Sequence, residues 1–598
     1  MPGLFGTIIS DGFSQQSVDI TNLFTTNCSY HETWRFGKHH GGIISVSDQP
    51  HSYFSHDIFV AYEGFFLDHD GDDKDIFQNI YARYLREGHE FVKHLRGSFQ
   101  ILIIDGRNGH DSVFLYADHT ASRQIFYTQT ASGLLFAPDV PALTPLLREK
   151  TLDEMACVQF MVSGHFPAGC TAIEQVKMLG PGEMLTVAGG GVSKSAYHRF
   201  RMEPEAELDR ASAAGKLEDA LRDAVHRHWR KMKRPAILLS GGYDSQYLFY
   251  TVAQSVEDTG RLVTVTWGEN PAKGHADMDV ARRTAARFGT RHIEIQKSHD
   301  RCIPEYKEMF EAQSGLTDSS FYHANELAVC RRLREEYGIE SVMRGDECLG
   351  YGPAVLTLQN ALRVNGMSLP EYVPGMARWL SSPEIVMGRF GQLIRDRMQG
   401  YETDSCNDLK DAIDFHERQV MNRNPLNYYK LHFLEVHCPL LDVEVLDVVR
   451  RLPENLRRHK RLFRHLAAQK AGGRLEIAES TNLIDWRRVL RESLEVSDFL
   501  LGEMEKLPTL FSRGFFENLA ASLKSGSPAG SGGGLRRYLR PLKRVLPVAS
   551  MRRLGEYRKR HVDQPLTIPD HFLVMRAAVL ARWNEMFDLQ RTYRPHGL

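Results

Sequence analysis

Ala236-Ile237-Leu238-Leu239-Ser240-Gly241-Gly242-Tyr243-Asp244-Ser245 is the stretch on which the fold turns. Its first four residues are apolar and end in a turn signal, which predicts a short buried strand. Residues 246–254 then continue with helical character. A strand entering a helix through two glycines brings open N–H groups and the positive end of the helix dipole to one point. Glycine lets the backbone come close to an anion there. The Ser240 and Ser245 hydroxyls suit phosphate oxygens. Asp244 would repel a phosphate, so its expected role is to hold Mg²⁺ that the phosphates share. An ordinary Gly-rich turn would explain a lone Gly-Gly, but it calls for neither the serines nor the aspartate.

The pattern around this loop alternates. Strands are expected at 262–266, 292–295 and 340–343, with helices at 279–288 and 325–337, which predicts a doubly wound parallel sheet. From about 355 onward the reading is mostly helical. The first 200 residues differ. Short apolar runs at 42–46, 58–62, 99–104, 113–116, 134–137 and 183–187 are separated by turn signals such as Asp105-Gly106-Arg107-Asn108-Gly109. Helices are expected near 74–87 and 152–162, outside antiparallel sheets. A linker and helix at 203–230 join the halves, so the expected domains are 1–202 and 203–598. Residues 525–534 read as a flexible Gly/Ser loop. Residues 536–560 hold ten Lys or Arg against one Glu, with apolar residues at helix-like spacing. This basic tail is either a solvated helical face or a docking surface for a peptide or its carrier.

With 598 residues, a large core needs no disulfide or metal to hold it. The net charge of −1 argues against a nucleic-acid coat protein. The eight cysteines contain no Cys-x-x-Cys pair, which excludes a zinc ribbon and predicts a reduced, cytoplasmic setting. His89-Glu90 with His94 is one residue too long for a zinc-protease helix. Neither an apolar run long enough for a membrane span nor a signal peptide is legible.

Ser-Gly-Gly-x-Asp-Ser after a buried strand resembles the ATP-pyrophosphatase loop of the asparagine synthetase family. Further segments are similar in the family's order. They are Thr171-Ala172-Ile173-Glu174-Gln175-Val176 with Leu179-Gly180-Pro181-Gly182, Asp277 with Ala281, Gly289-Thr290-Arg291-His292, and Val436-His437-Cys438-Pro439-Leu440-Leu441-Asp442. The resemblance implies an α+β, Ntn-hydrolase-like N-terminal domain of two antiparallel sheets between helices, of the class II glutamine amidotransferase kind. It implies an α/β synthetase domain with a doubly wound parallel sheet and a helical C-terminal part behind it. ATP and Mg²⁺ are the implied cofactors. Arg344-Gly345-Asp346-Glu347 matches the segment with the second metal carboxylate, so Asp244 and Asp346 are the expected metal ligands. Leu239, Ser240, Gly241, Gly242, Asp244, Ser245, Val265 and Gly345 are the expected ATP and pyrophosphate residues. Lys460, in Lys460-Arg461-Leu462-Phe463-Arg464, matches the catalytic lysine, although Arg457, Arg458 and Arg461 around it also fit a solvated basic face.

Two departures shape the functional expectation. Met343 stands where relatives carry a Glu or Tyr, and methionine cannot accept a proton. His437, Glu326 and Glu435 are the candidate bases. In the front half, Pro2 stands where a glutamine-using relative has its cysteine nucleophile, and Glu63 replaces an oxyanion-binding Asn. The glutaminase is therefore expected to be inactive and the amine to come from the substrate itself. That resembles the ring-closing branch, the β-lactam and carbapenam synthetases and above all the lasso peptide cyclases. A precursor peptide is the expected partner, with a peptidase as a candidate second one, and neither nucleic acid nor membrane is expected. The competing readings are an ammonia-using asparagine-synthetase-type enzyme, a small-molecule cyclase, a catalytically silent binding protein and a tRNA-modifying relative.

Overall fold

The computed structural model describes residues 2–9, 30–46, 52–55, 57–68, 73–107, 109–131, 133–268, 276–297, 302–323, 325–350, 352–403, 405–479, 485–525 and 562–589. The basic stretch 536–560 and all but Ser525 of the Gly/Ser loop lie outside them.

Two six-stranded antiparallel sheets form the N-terminal half. One runs in the order Lys177–Met178, Phe126–Thr130, Gly133–Ala137, Gly3–Ile9, His39–Ser45, Tyr30–Phe36. The other runs Gly191–Ala196, Glu183–Ala188, Ser112–Ala117, Gly97–Asp105, Ile58–Phe66, Ser52–Ser55. Strand side chains alternate between faces, and here both faces are apolar. Phe59, Ala61, Leu102, Ile104, Val113 and Leu115 meet Leu4, Ile8, Ile43 and Phe136 between the sheets. Their neighbours Ile58, Val60, Tyr62, Ile101, Ile103 and Tyr116 turn outward to a cluster with Ile76, Phe77 and Ile80 of the helix Asp73–Glu87. The other sheet's outer face, with Phe5, Ile44 and Leu135, shares a cluster with Cys157, Phe160 and Met161 of the helix Glu154–Ser163. The result is helix, sheet, sheet, helix, as expected.

A five-stranded parallel sheet forms the second half, in the order Arg291–Gln296, Val263–Gly268, Pro235–Leu238, Ser341–Met343, Glu435–His437. Helices cover it, among them Arg210–Lys231, Tyr243–Ala253, Asp277–Phe288 and Arg461–Ala471. The helix after the two glycines begins at Tyr243, three residues before the apolar periodicity does, so Asp244 sits in its first turn. The last described helix, Asp570–Phe587, is largely buried. Its Arg576 reaches Asp318 at 2.8 Å and the Met161 and Val162 carbonyl oxygens at 3.1 and 2.8 Å, which ties the C-terminal part to the front half. No described helix is long and apolar enough to cross a membrane.

Candidate active site

From Pro235–Leu238 the chain first adds strands on one side, Val263–Gly268 and then Arg291–Gln296. It later returns to the other side with Ser341–Met343. The loops after Leu238 and Met343 therefore part company and leave a crevice at the carboxyl ends of the strands. Leu239, Ser240, Gly242, Asp244, Ser245, Val265, Gly345 and Asp346 all line it, with Trp267 and Arg344. Gly241 turns away from it. The Leu239 N–H is spent on the Val265 carbonyl at 2.9 Å.

The loop is tightly built. Ser240 Oγ and Ser245 Oγ lie 2.8 Å apart, and Gly242 N–H donates to Ser240 Oγ at 3.2 Å. Gly242 caps the helix with no side-chain hydrogen bond, so the first-turn amides stay open for an anion. Gly345 has to be glycine, because a Cβ there would stand 2.9 Å from Asp244 Cβ and 3.1 Å from Ser245 N. The two loops that carry the expected metal carboxylates are thus pressed together.

Lys460 points into this place. It follows His459, and both residues have positive φ, 55° and 54°, a region that costs a non-glycine residue about 1–3 kcal/mol. Their N–H groups donate to Gly350 and Gly352 carbonyl oxygens at 3.0 and 3.1 Å. The Lys460 ammonium lies 2.9 and 3.0 Å from the Asp244 oxygens and 2.7 Å from Glu347. Arg457 does not compete with it, being buried against Asp408 and Asp411. Asp346 is held by Arg344 at 2.9 Å and Asn427 at 2.8 Å. Arg423 donates to the Glu347 carbonyl at 2.7 Å.

Burial pushes the Asp244 carboxyl up to about 6, with the Glu347 charge adding and Lys460 opposing. Burial alone would also raise Glu347, but Lys460 and Arg423 hold it below the usual range. Burial disfavours the Lys460 charge, yet its two carboxylates more than reverse this and raise its pKa.

Residues 216–352 match the family model for asparagine synthase, and residues 73–198 match that for a glutamine amidotransferase domain. Over these two segments the chain is similar to the asparagine synthetase family. It is 26% identical to asparagine synthetase [glutamine-hydrolyzing] 1 of Bacillus subtilis over 36% of this chain and 33% of that protein. It is 24% identical to asparagine synthetase B [glutamine-hydrolyzing] of Escherichia coli over 45% of each. The matches therefore span less than half the length of these curated relatives. A B. subtilis glutamine phosphoribosylpyrophosphate amidotransferase structure aligns at 12% identity over 43% of this chain and 51% of that one, with a TM-score of 0.19.

The two positions at which the sequence predicts a degenerate glutaminase site, Pro2 and Glu63, are both buried. Pro2 is buried at the start of the strand Gly3–Ile9. Glu63 shares the strand parity of Phe59 and Ala61 and so faces the other sheet. There it is fully buried and takes both oxygens to Arg123, at 2.6 and 2.7 Å. Burial raises Glu63 to about 7 against the pull of Arg123. Arg123 in turn pairs with Glu435 of the parallel sheet, so Glu63 and Arg123 form a clasp between the halves.

The three candidate bases are all engaged outside the crevice lining. Glu435 is in that clasp. His437 stacks on Phe65 at 4.1 Å and meets His228 nitrogen to nitrogen at 3.1 Å. Glu326 is buried with Lys297 at 2.7 Å, His323 at 2.9 Å and Tyr429. Met343 is fully buried in the strand core. Sequence reasoning gave no role to Glu347, Arg423 or Asn427. Glu347 adjoins Asp346 in a recognised motif and was within reach of it. Arg423 and Asn427 lie some 80 residues downstream, with no local signal.

Proposed function

We propose that this protein joins a carboxylate to an amine with ATP, through an acyl-adenylate. We propose further that both groups belong to one precursor peptide, as in lasso peptide cyclisation. The observation that carries the ligase reading is the meeting of an anion-binding helix start, two carboxylates and Lys460 in one switch-point crevice. Asp244 and Asp346 fit Mg²⁺, which takes one or two carboxylates and leaves its remaining positions to water and phosphate. When bound, the ion would neutralise phosphate charge. A carboxylate oxygen attacks the α-phosphorus of ATP and the bond to pyrophosphate breaks. The amine nitrogen then attacks the acyl carbon, AMP leaves with the bonding electrons, and the amine loses a proton. The open amides of the helix Tyr243–Ala253 hold pyrophosphate. The Lys460 ammonium answers the oxyanion that develops in the second step.

The intramolecular amine rests on the glutaminase positions. Glu63, bound to Arg123, offers no donor to an oxyanion, and Pro2 has no thiol. A second reading is asparagine synthesis from free ammonia: the names of both curated relatives favour the asparagine product, and both name glutamine rather than ammonia as the nitrogen source. The experiment is ATP–pyrophosphate exchange and product analysis. One arm holds linear peptides with a free N-terminus and an internal Asp or Glu, and the other holds aspartate with ammonium. The proposal expects exchange and ring closure with a peptide, no glutamate release from glutamine, and loss of exchange in Asp244→Asn and Asp346→Asn with circular dichroism unchanged. Asparagine formation would select the second reading, and normal exchange in both variants would remove the site.

A further inference from the structure

Gly241 is the one glycine of the phosphate loop that does not line the crevice, and both of its peptide planes are fixed from behind. Its N–H donates to Asp277 Oδ1 at 3.2 Å, and its carbonyl accepts from Ala478 N–H at 3.0 Å. In a trans peptide the carbonyl and the next N–H point opposite ways. Holding the Gly241 carbonyl toward Ala478 therefore turns the Gly242 N–H back to the crevice side. Glycine has little preference of its own between the two settings, so something outside the loop has to choose. A Cβ on Gly241 would stand 2.3 Å from Ala478 Cβ, so the contact is close as well as polar.

Ala478 belongs to a stretch, residues 474–479, laid across the back of the site. Tyr250 OH donates to the Arg474 carbonyl at 2.9 Å, Arg287 Nη1 donates to the same oxygen at 2.7 Å, and Gln246 Nε2 donates to the Glu476 carbonyl. The Glu476 carboxylate meets Arg283 Nε at 2.9 Å. The strap is therefore fastened to the helix Tyr243–Ala253 and to the helix Asp277–Phe288. Through the helix Arg461–Ala471 it is also continuous with Lys460.

We infer that residues 474–479 are part of the nucleotide site. Ala478 sets the peptide plane that turns the Gly242 N–H to the crevice side, where it donates to Ser240 Oγ at 3.2 Å and fixes that hydroxyl at the phosphate position, and the Glu476–Arg283 pair holds the strap in register. These are positioning residues, and the inference rests on the ATP-binding reading above. The expected signature is selective. Losing the strap frees the glycine peptide to turn, which weakens ATP without touching the carboxylate substrate.

The test is the affinity of the full chain for Mg²⁺–ATP, measured by competition with a fluorescent ATP analogue. Wild type is compared with Ala478→Pro, which deletes the N–H, with Glu476→Gln, and with the charge swap Arg283→Glu/Glu476→Arg. Thermal melting of each is recorded alongside. Loss of one such hydrogen bond corresponds to roughly a three- to tenfold weaker affinity. We expect that in Ala478→Pro and a smaller loss in Glu476→Gln, with at least partial recovery in the swap and unchanged melting. KM for ATP should rise while KM for the peptide stays constant. If Ala478→Pro fails to fold, Glu476→Gln and the swap decide the outcome. Wild-type ATP affinity in the folded variants, or equal rises in both KM values, would overturn the strap. Failure of the wild type to bind ATP would overturn the ligase reading itself.

Discussion

Lys460 sits between two carboxylates, and this fixes what its loss should do. The ammonium is within 3.0 Å of Asp244 and 2.7 Å of Glu347, so in this structure it balances the charge of the phosphate site. Its assigned chemical task comes later, when the amine attacks. Removing a donor aimed at a developing oxyanion typically slows a reaction by about 10²–10³. In the proposed mechanism, binding of ATP and the first step use the helix start and the carboxylates Asp244 and Asp346 instead. Lys460→Ala should therefore lower product formation by that factor while ATP–pyrophosphate exchange falls by about tenfold or less. Parallel measurement of exchange and product decides it, and an equal loss of both would place Lys460 in nucleotide binding. The segment Lys460-Arg461-Leu462-Phe463-Arg464 points to this residue. Its surroundings were not legible, because Arg457, which looked like a competitor, finds Asp408 and Asp411 only through tertiary packing.

Among the elements, those with a strong local signal are legible in the sequence. The strand Pro235–Leu238, the helix Asp277–Phe288 and the strand Ile58–Phe66 follow from apolar runs and turn residues. The edge strand Gly191–Ala196 carries no such signal, because it is mostly polar and exposed. The strand Gly3–Ile9, buried on both faces, shows no alternation to mark it. The pairing of the two site loops depends on the sheet order, which no local pattern carries, although Gly345 marks the place where they touch. A methyl group at 345 would meet Asp244 Cβ at 2.9 Å and push the loops apart. Gly345→Ala should raise KM for ATP at least about tenfold and leave the fold in place, because the overlap is confined to the crevice. Steady-state kinetics with circular dichroism test this, and an unchanged KM would mean that the loops have more slack than their contact suggests.

The whole molecule is two sheet systems clasped by buried charge. Arg123 holds Glu63 and Glu435 across the halves, and removing one partner of a buried pair typically costs about 3–5 kcal/mol. Arg123→Ala should lose that much in denaturant unfolding, and adding Glu63→Gln should restore part of it. A loss within error would mean that the clasp is not a source of stability. Acid should loosen the molecule as well. Burial holds His119 and His228 at about 3 and His165 at about 4, and it holds His432 and His437 well below their usual value. Below about 6.5 the unfolded chain takes up protons that these folded imidazoles refuse, so stability falls with pH by about 1.4 kcal/mol per unit for each. Glu63 and Asp244, raised to about 7 and about 6, act in the opposite sense between about 4.5 and 7, but the histidines outnumber them. The melting temperature should therefore drop from pH 7 to pH 5, and a rise would contradict the assignment of these imidazoles as neutral. The central claim is the acyl-adenylate, and one measurement reaches it directly. A linear peptide with a free N-terminus and an Asp or Glu side chain labelled with heavy oxygen is turned over with ATP, and the nucleotide product is weighed by mass spectrometry. The account predicts AMP carrying one heavy oxygen from the carboxylate. ADP, or AMP without the label, would contradict it.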